Sequence, residues 1–238
     1  MKLKKNNNYF ISSKYKHKIV DNNKFFLNIN RTFEESKIWH LPAYEYCQSF
    51  LKNKKQIKII TDYGCGFGFK LNFLKKKNQE KKFIGIDDIK SIKFAKNKFK
   101  NILFLRNNLD SREVINLKFK NDLSISIDVI EHMNKPLYLM KKIINNLKIG
   151  GYLIISTPER DFCRGTKNIY PGKHHAREWN SKEFSKFLLS FKCFKILDKK
   201  ILFAYQVSLN KIFISEIKNR IFRRCLKYNQ IYLLKKVC

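Results

Sequence analysis

Three glycines at alternate positions stand in the segment that most strongly suggests ligand binding. Residues 62–68 read Asp-Tyr-Gly-Cys-Gly-Phe-Gly and directly follow a short β-rich run. Glycines permit positive φ angles and let a ligand approach the backbone closely. A dinucleotide-binding fingerprint, G-x-G-x-x-G, would need a glycine where this chain has Phe69. Asp62 would repel a pyrophosphate and attract a cationic ligand, and Asp87, which closes the next β-rich run, could accept both hydroxyls of a ribose.

A second group of chemically active residues combines acids and histidines from two distant segments. Asp128-x-x-Glu131-His132 follows another β-rich run, and His175 lies in a long stretch that covers residues 157–180. Loops of that length in a compact fold are usually lids or binding loops. The two segments are therefore candidates for one site, on the side of a bound ligand where a substrate would lie.

Three interpretations of this group stay open. In the first, His132 or His175 is a general base that takes the proton of an acceptor hydroxyl. In the second, Glu131, His132 and a loop histidine hold a divalent ion, with Asp128 as a further ligand, and the ion lowers the pKa of the hydroxyl. In the third, Glu131 and His132 only form hydrogen bonds with the backbone and complete a turn.

The elements that must position these residues alternate between strand and helix. Hydrophobic patterning predicts strands over 57–62, 82–87, 102–105, 122–128, 152–156, 194–197 and 201–207. It predicts helices over 34–51, 69–77, 89–99, 135–147 and 181–189, with Gly150-Gly151 as a C-cap and Asn180 with Glu183 as a capping box. The alternation predicts an α/β, doubly wound and mostly parallel sheet, whose ligands bind beyond the carboxyl ends of the strands. The motifs lie at those ends.

The chain divides into three predicted segments. Residues 1–33 form a polar, basic leader that is flexible or loosely docked, and residues 34–208 form the domain. Residues 209–238 are predicted to be a basic amphipathic helix, with apolar residues at three- and four-residue steps from Ile214 to Tyr228. Such a helix could pack on the sheet, pair with a second subunit, or lie on an anionic membrane as a peripheral contact; packing is the simplest of these.

Composition narrows the class of protein. The net charge is +32, but lysine supplies 42 of the 51 basic residues and is spread along the chain, which indicates AT-rich codon bias more than a nucleic-acid site. No apolar run is long enough to span a membrane and the N-terminus lacks a signal-peptide core, so we expect a cytoplasmic protein without a transmembrane segment. The six cysteines form no C-x-x-C pair, which gives no indication of a zinc or redox site.

Several motifs in order resemble class I S-adenosylmethionine-dependent methyltransferases over about residues 57–191. They are DYGCGFG, IGIDD, DVIEH and LKIGGYLIISTP. The resemblance implies a Rossmann-like, seven-stranded sheet with an antiparallel C-terminal strand, and S-adenosylmethionine as the cofactor. The acid–histidine pattern is similar to that of ubiquinone-biosynthesis O-methyltransferases and small-RNA 2′-O-methyltransferases, but Met133 follows His132 and Asp128 stands in place of a first glutamate. On these departures the sequence assigns no metal.

The resemblance also implies roles for individual residues. Gly64, Gly66 and Gly68 would cradle the methionine and ribose portions of the cofactor. Asp62 would support the cofactor's amino group, and Asp87 would bind its ribose. Asn108 stands where many members have an aspartate that faces the adenine. Further cofactor contacts are expected from Cys65, Ile86, Asp88, Leu109, Asp110 and Asp128.

The acceptor is predicted from weaker signals. Residues 156–161 and 175–179 look like those of a bacterial methyltransferase subgroup that accompanies surface-glycan biosynthesis. Arg160, Arg164 and Arg177 could then bind a phosphate or carboxylate of the acceptor. The leading hypothesis is O-methylation of a small-molecule or glycan-precursor hydroxyl, with Glu131, His132 and His175 as catalytic residues. The alternatives are an RNA methyltransferase of the 2′-O type and a non-catalytic protein that keeps the cofactor fold.

Overall fold

One seven-stranded sheet forms the centre of the molecule. The computed structural model describes residues 8–21, 29–165, 167–203 and 228–238. The strands are β1 Ile59–Tyr63, β2 Lys82–Asp87, β3 Leu103–Arg106, β4 Asn121–Ile127, β5 Leu147–Pro158, β6 Phe194–Phe203 and β7 Tyr228–Lys236. The helices are α1 Ile29–Lys52, α2 Phe69–Lys77, α3 Ile89–Lys98, α4 Pro136–Asn146, α5 Arg160–Arg164 and α6 Ser181–Leu189, with a 3₁₀ helix at Ile130–His132.

The strand order is β3-β2-β1-β4-β5-β7-β6. The first five strands in this order run parallel, and β7 is antiparallel to both β5 and β6. Both faces of the sheet are covered, because Leu153 and Ile155 of β5 belong to one buried cluster and Ile154 belongs to the other. The predicted fold class, a mostly parallel doubly wound sheet with an antiparallel C-terminal strand, is confirmed.

Local signals set several helix boundaries as predicted. The Asp88 carboxylate accepts hydrogen bonds from the backbone of Lys90 and Ser91 and so caps α3. Asn180 and Glu183 form the predicted capping box at the start of α6. These side chains satisfy backbone N–H groups that have no partner within the helix.

The predicted glycine C-cap after α4 is wrong. The helix ends at Asn146, and Leu147 is already extended and begins β5. Gly150 and Gly151 lie inside that strand, where its pairing with β4 shifts register. A Cβ on Gly151 would lie 3.0 Å from the carbonyl oxygen of Asp122, so this glycine permits close approach of two backbones.

The predicted C-terminal helix is also wrong over residues 228–236, which form β7. Its apolar residues 231–234 are all buried and contiguous, as expected of a strand covered on both faces. The expected hairpin of 194–197 with 201–207 is instead one strand, β6, with an irregularity between Ile196 and Asp198. The rest of both predictions, at residues 204–227, lies outside the described residues.

The N-terminal leader, predicted to be flexible or loosely docked, is docked where the structure describes it, at residues 8–21. Ile11 and Tyr15 are buried. The indole of Trp179 donates to the carbonyl of Tyr9 at 2.9 Å, and the Lys18 backbone donates to Ala176 at 2.9 Å. The segment therefore braces the loop that carries His175. In the described part of the chain, no helix has the length and apolar character to cross a membrane.

Candidate functional site

The glycine segment forms a tight turn between β1 and α2. Gly64 and Gly66 have φ angles of 86° and 56°, which favour glycine. The backbone N–H of Gly64 donates to the carbonyl of Ile86 at 2.8 Å, and that of Gly66 donates to the Asp87 carboxylate at 2.7 Å. A Cβ on Gly66 would meet nothing within 4 Å, so the turn faces open space that a ligand can fill.

The two glycines should differ in their tolerance of alanine. We expect Gly66→Ala to destabilise the protein by about 1–2 kcal/mol, the cost of positive φ. We expect Gly64→Ala to cost a further ~1–3 kcal/mol, because its Cβ would press on both methyl groups of Val129. Denaturant unfolding measures both values. Equal losses would contradict the predicted contact, and adding Val129→Ala should recover only the steric part.

Asp62 presents a buried carboxylate oxygen without a partner. Its Oδ2 accepts a hydrogen bond from the hydroxyl of Tyr44 at 2.7 Å, while no described group donates to Oδ1. Burial raises the pKa of Asp62 to about 7, against the opposing effects of the Tyr44 hydrogen bond and the charge of Lys70. A ligand ammonium would satisfy the free oxygen and stabilise the ionised form. Asp62 therefore fits the predicted contact with the cofactor's amino group.

Asp87 is held in a fixed orientation at the end of β2. Its Oδ2 accepts from the Gly66 backbone at 2.7 Å and its Oδ1 from the Asp88 backbone at 2.7 Å. Burial raises the pKa of Asp87 to about 7. Each carboxylate oxygen can accept a further hydrogen bond, which suits a pair of ribose hydroxyls.

Cofactor binding should therefore release protons near neutral pH. Below about pH 7 the free protein holds Asp62 and Asp87 largely protonated, and a bound ammonium and bound hydroxyls favour their ionised forms. Affinity for S-adenosylhomocysteine should rise with pH up to about 7 and then level off. Calorimetry at pH ~6 in buffers of different ionisation enthalpy counts the protons released, and Asp62→Asn should lower that number. Proton uptake would contradict the prediction.

The other predicted cofactor residues have varied surroundings. Cys65, Ile86 and Leu109 are buried in the core, so their backbone is the part that can meet a ligand at the turn. The Asp88 carboxylate is occupied by the first turn of α3, including the Ser91 hydroxyl at 2.9 Å. The third glycine of the motif, Gly68, is the N-cap residue of α2.

The predicted adenine contacts follow β3. Asn108 is exposed, and its Oδ1 accepts from the Asp110 backbone at 2.9 Å. The Asp110 carboxylate accepts from the backbone of Asn134 and Lys135, so it braces the start of α4. Asn107 is buried with its Oδ1 unpartnered in the described residues, and its backbone donates to the carbonyl of Asp87. The role of Asn108 and Asp110 towards adenine stays a prediction.

The acid–histidine residues come together at the end of β4. The backbone N–H of Ala176 donates to the carbonyl of Glu131 at 2.7 Å, which joins the two distant segments. One possible ligand atom each from Glu131, His132 and His175 lies within 4.8 Å of the others. The His132 and His175 rings are 4.9 Å apart, and their side chains keep 20% and 19% exposure. A ligand can therefore reach the cluster.

Hydrogen bonds orient both histidines of this cluster. Nδ1 of His132 donates to the carbonyl of His174 at 2.8 Å, which leaves Nε2 as an acceptor 3.9 Å from Glu131 Oε1. Nδ1 of His175 donates to Glu178, whose pKa falls to about 2 because hydrogen bonds from His175 and Arg164 outweigh its burial. A carboxylate behind a histidine is a common support for metal-binding imidazoles.

The electrostatics of the cluster favour a cation. Glu131 Oε2 accepts from the Thr157 hydroxyl at 3.0 Å, but no described group donates to the buried Oε1. Burial, with the nearby charge of Asp128, raises the pKa of Glu131 well above its ordinary range. Burial and His175 lower the pKa of His132 to about 3, so His132 stays neutral and is a weak base. Two imidazoles and a carboxylate suit a divalent transition-metal ion.

Asp128 stands apart from this cluster. Its Oδ1 accepts from the Ser156 hydroxyl at 2.6 Å, and its Oδ2 accepts from the side-chain amide of Asn229 in β7. Its φ of 53° is unusual for a residue other than glycine. Among the described residues, the group of possible ligand atoms within 4.8 Å of one another contains Glu131, His132 and His175 but not Asp128, so Asp128 is a poor fit to the predicted fourth metal ligand. The predicted contact of Asp128 with the cofactor stays a prediction.

The three predicted substrate-binding arginines bind protein groups. Arg160 donates to Glu183 and Asp161, and Arg177 donates to the carbonyls of Met133 and Asn134. Both guanidinium groups also face tyrosine rings of the N-terminal segment. Arg164 binds Glu178 through two nitrogens. Substrate binding by these arginines stays a prediction, and their present contacts count against it for the buried Arg160 and Arg177.

Sequence reasoning missed several residues around the site. Tyr44 and His40 come from α1, Lys70 from α2 and Asn229 from β7. Lys70 lies two residues after Gly68 of the glycine turn, and this position is the one sequence feature that could have indicated a role near the ligand. The others are distant in sequence and carry no motif.

Comparisons with known proteins agree with this fold. A family model described as a methyltransferase domain matches residues 53–186. The plantazolicin methyltransferase BpumL, solved with S-adenosylhomocysteine and a triazolic desmethylPZN analogue, has a TM-score of 0.62 and 19% identity over 87% of this chain and 88% of that one. An S-adenosylmethionine-dependent methyltransferase from Clostridium acetobutylicum has a TM-score of 0.60 and 16% identity, covering 87% and 96% of the two chains.

The methyltransferase domain of bacterial CtHen1-C has a TM-score of 0.57 and 19% identity over 83% of this chain and 98% of that one. No curated protein sequence matches the chain. At these identities the solved structures support the fold, and the family model covers more than half of the sequence. The chain therefore belongs to the methyltransferase domain family, and it is an S-adenosylmethionine-dependent methyltransferase.

Proposed function

We propose that this enzyme methylates a hydroxyl oxygen of a small molecule, in the class of glycan precursors. The observation that carries the proposal is the cluster of Glu131, His132 and His175, which offers two oriented imidazoles and one carboxylate oxygen that no described residue pairs. A hydroxyl is a poor nucleophile until its proton is removed or its pKa is lowered. The cluster suits that task better than it suits transfer to a neutral amine or a thiolate.

The protein's own groups would act as follows. Glu131, His132 and His175 would hold a divalent cation, which lowers the pKa of a hydroxyl that it contacts. Glu178 would keep His175 in the tautomer that presents Nε2. Asp62 would bind the amino group of the cofactor and Asp87 its ribose, and the cofactor supplies an electrophilic methyl group on a sulfonium. The acceptor hydroxyl would lose its proton to water, and its oxygen would gain the methyl group as the carbon–sulfur bond breaks, with the electron pair of that bond going to sulfur.

The identity of the acceptor can be tested by label transfer. The enzyme is incubated with methyl-labelled cofactor and an extract of its source organism, and the product is separated into small molecules, lipid-linked glycans, RNA and protein. We expect label in the first two fractions, in a form that resists alkali as an ether does. Glu131→Gln with the same extract is the matched control.

Label in RNA would replace this proposal with the 2′-O-methylation of RNA. The net charge of +32 is the feature that favours this second candidate. A true RNA enzyme should bind RNA with an affinity that falls log-linearly with salt concentration, and with one structure preferred. Weak binding without preference is expected here, because the lysines are spread along the chain.

A further inference from the structure

Lys70, in the first turn of α2, carries an ammonium group with spare hydrogen-bond donors. Its Nζ lies 2.9 Å from Nδ1 of His40 and 5.9 Å from the centre of the Tyr44 ring. An ammonium has three N–H donors. Within the described residues His40 supplies its one hydrogen-bond acceptor, so two donors are left for a ligand.

His40 lies between the Lys70 ammonium and the carboxylate of Asp128. Because Nδ1 accepts from Lys70, the ring proton is on Nε2, which lies 3.6 Å from Oδ2 of Asp128. Burial and the adjacent Lys70 charge lower the pKa of His40 well below its ordinary value, so the ring is neutral. A neutral ring accepts a hydrogen bond from the ammonium and so fixes its position, and it does not neutralise the positive charge of the ammonium as a carboxylate would.

Lys70 and Asp62 carry complementary unsatisfied groups. Tyr44 contacts both, since its hydroxyl donates to Asp62 Oδ2 and its ring lies beneath Lys70. Burial lowers the pKa of Lys70, and the nearby charges of Asp62 and Asp128 oppose that shift. No ion pair within 4.0 Å joins Asp62 to Lys70 among the described residues. An amino-acid zwitterion has the matching arrangement of an ammonium beside a carboxylate.

We propose that Lys70 binds the carboxylate of the cofactor's amino-acid end, while Asp62 receives its ammonium and His40 positions Lys70. The cofactor carboxylate would take the two free N–H donors in a charge-assisted contact. The proposal depends on the cofactor and is independent of the acceptor proposed above.

Calorimetry with two ligands tests the proposal without any methyl transfer. S-Adenosylhomocysteine carries the amino-acid end, and 5′-methylthioadenosine is the same nucleoside thioether without it. Lys70→Met should weaken binding of the first ligand about 10- to 100-fold, the range for hydrogen bonds to charged groups, and leave binding of the second unchanged. Lys76→Met, on the exposed side of the same helix, should change neither.

The ratio of the two affinities decides the outcome. An unchanged ratio in Lys70→Met overturns the proposal, whether both affinities stay the same or both fall through distortion of the pocket. Lys70→Arg, which keeps the charge, should retain more of the ratio than Lys70→Met. If Lys70→Met does not fold, Lys70→Gln provides the same comparison.

Discussion

Glu131→Gln is expected to lower the rate of methyl transfer by roughly 10²- to 10⁴-fold, the range for losing acid–base or metal activation of a hydroxyl. Glutamine keeps the shape of the side chain but removes the charge that the unpaired Oε1 would offer to a cation. The rate of label transfer to the acceptor fraction measures the effect. Affinity for S-adenosylhomocysteine should be retained, because the predicted cofactor contacts are those of Asp62 and Asp87 and do not include Glu131.

Glu80→Gln is the matched control, since Glu80 is an exposed surface glutamate.

Chelation distinguishes metal activation by the cluster from general-base catalysis by a histidine. If the cluster holds a metal, a chelator should abolish transfer in the wild type, and Mn²⁺, Co²⁺ or Zn²⁺ should restore it. Activity that survives chelation but is lost in His175→Ala would assign His175 as the base. Full activity in both Glu131→Gln and His175→Ala would leave these residues with a structural role.

Asp87→Ala is expected to weaken S-adenosylhomocysteine binding by about 1.5–3 kcal/mol, the scale of hydrogen bonds to a charged group. The variant removes both the predicted ribose contacts and the bond that holds the Gly66 backbone. Calorimetry measures the change, and NAD should bind to neither the variant nor the wild type.

The neighbouring Asp88 provides a control with a different expected effect. Its carboxylate caps α3, so Asp88→Ala should lower stability by about 1 kcal/mol and leave cofactor affinity nearly intact. Unchanged affinity in Asp87→Ala would refute the ribose assignment. A larger loss of affinity in Asp88→Ala than in Asp87→Ala would transfer that role to Asp88.

The first half of the fold could be predicted because each element carries its own local signal. α2 and β2 begin and end where the sequence predicts, one after a glycine turn and the other before a capping aspartate. β7 lacks such a signal. Its apolar residues are contiguous because neighbours cover both faces, and a short run of this kind fits a buried helix as well as a strand. Its location depends on pairing with β5, which the sequence does not display.

The candidate site could be predicted only in part, for a related reason. The glycine turn and the acid–histidine segments are local motifs, and the parallel topology brings the ends of their strands together. Tyr44 reaches Asp62 from α1, and Asn229 reaches Asp128 from β7; both contacts depend on tertiary packing. Arg160 and Arg164 suggested binding of a substrate anion, yet the anions that they bind in the structure are the carboxylates of Glu183 and Glu178.

The position of β7 sets an order of events during synthesis on the ribosome. This strand follows β5 and β6 in the chain but lies between them in the sheet. Until residues 228–236 emerge, the edges of β5 and β6 that face β7 in the sheet are unpaired, and unpaired strand edges are prone to aggregation and to chaperone capture. Insertion of β7 removes both edges and delivers Asn229 to Asp128 in one step. Completion of the candidate site is therefore coupled to the emergence of residues 228–236.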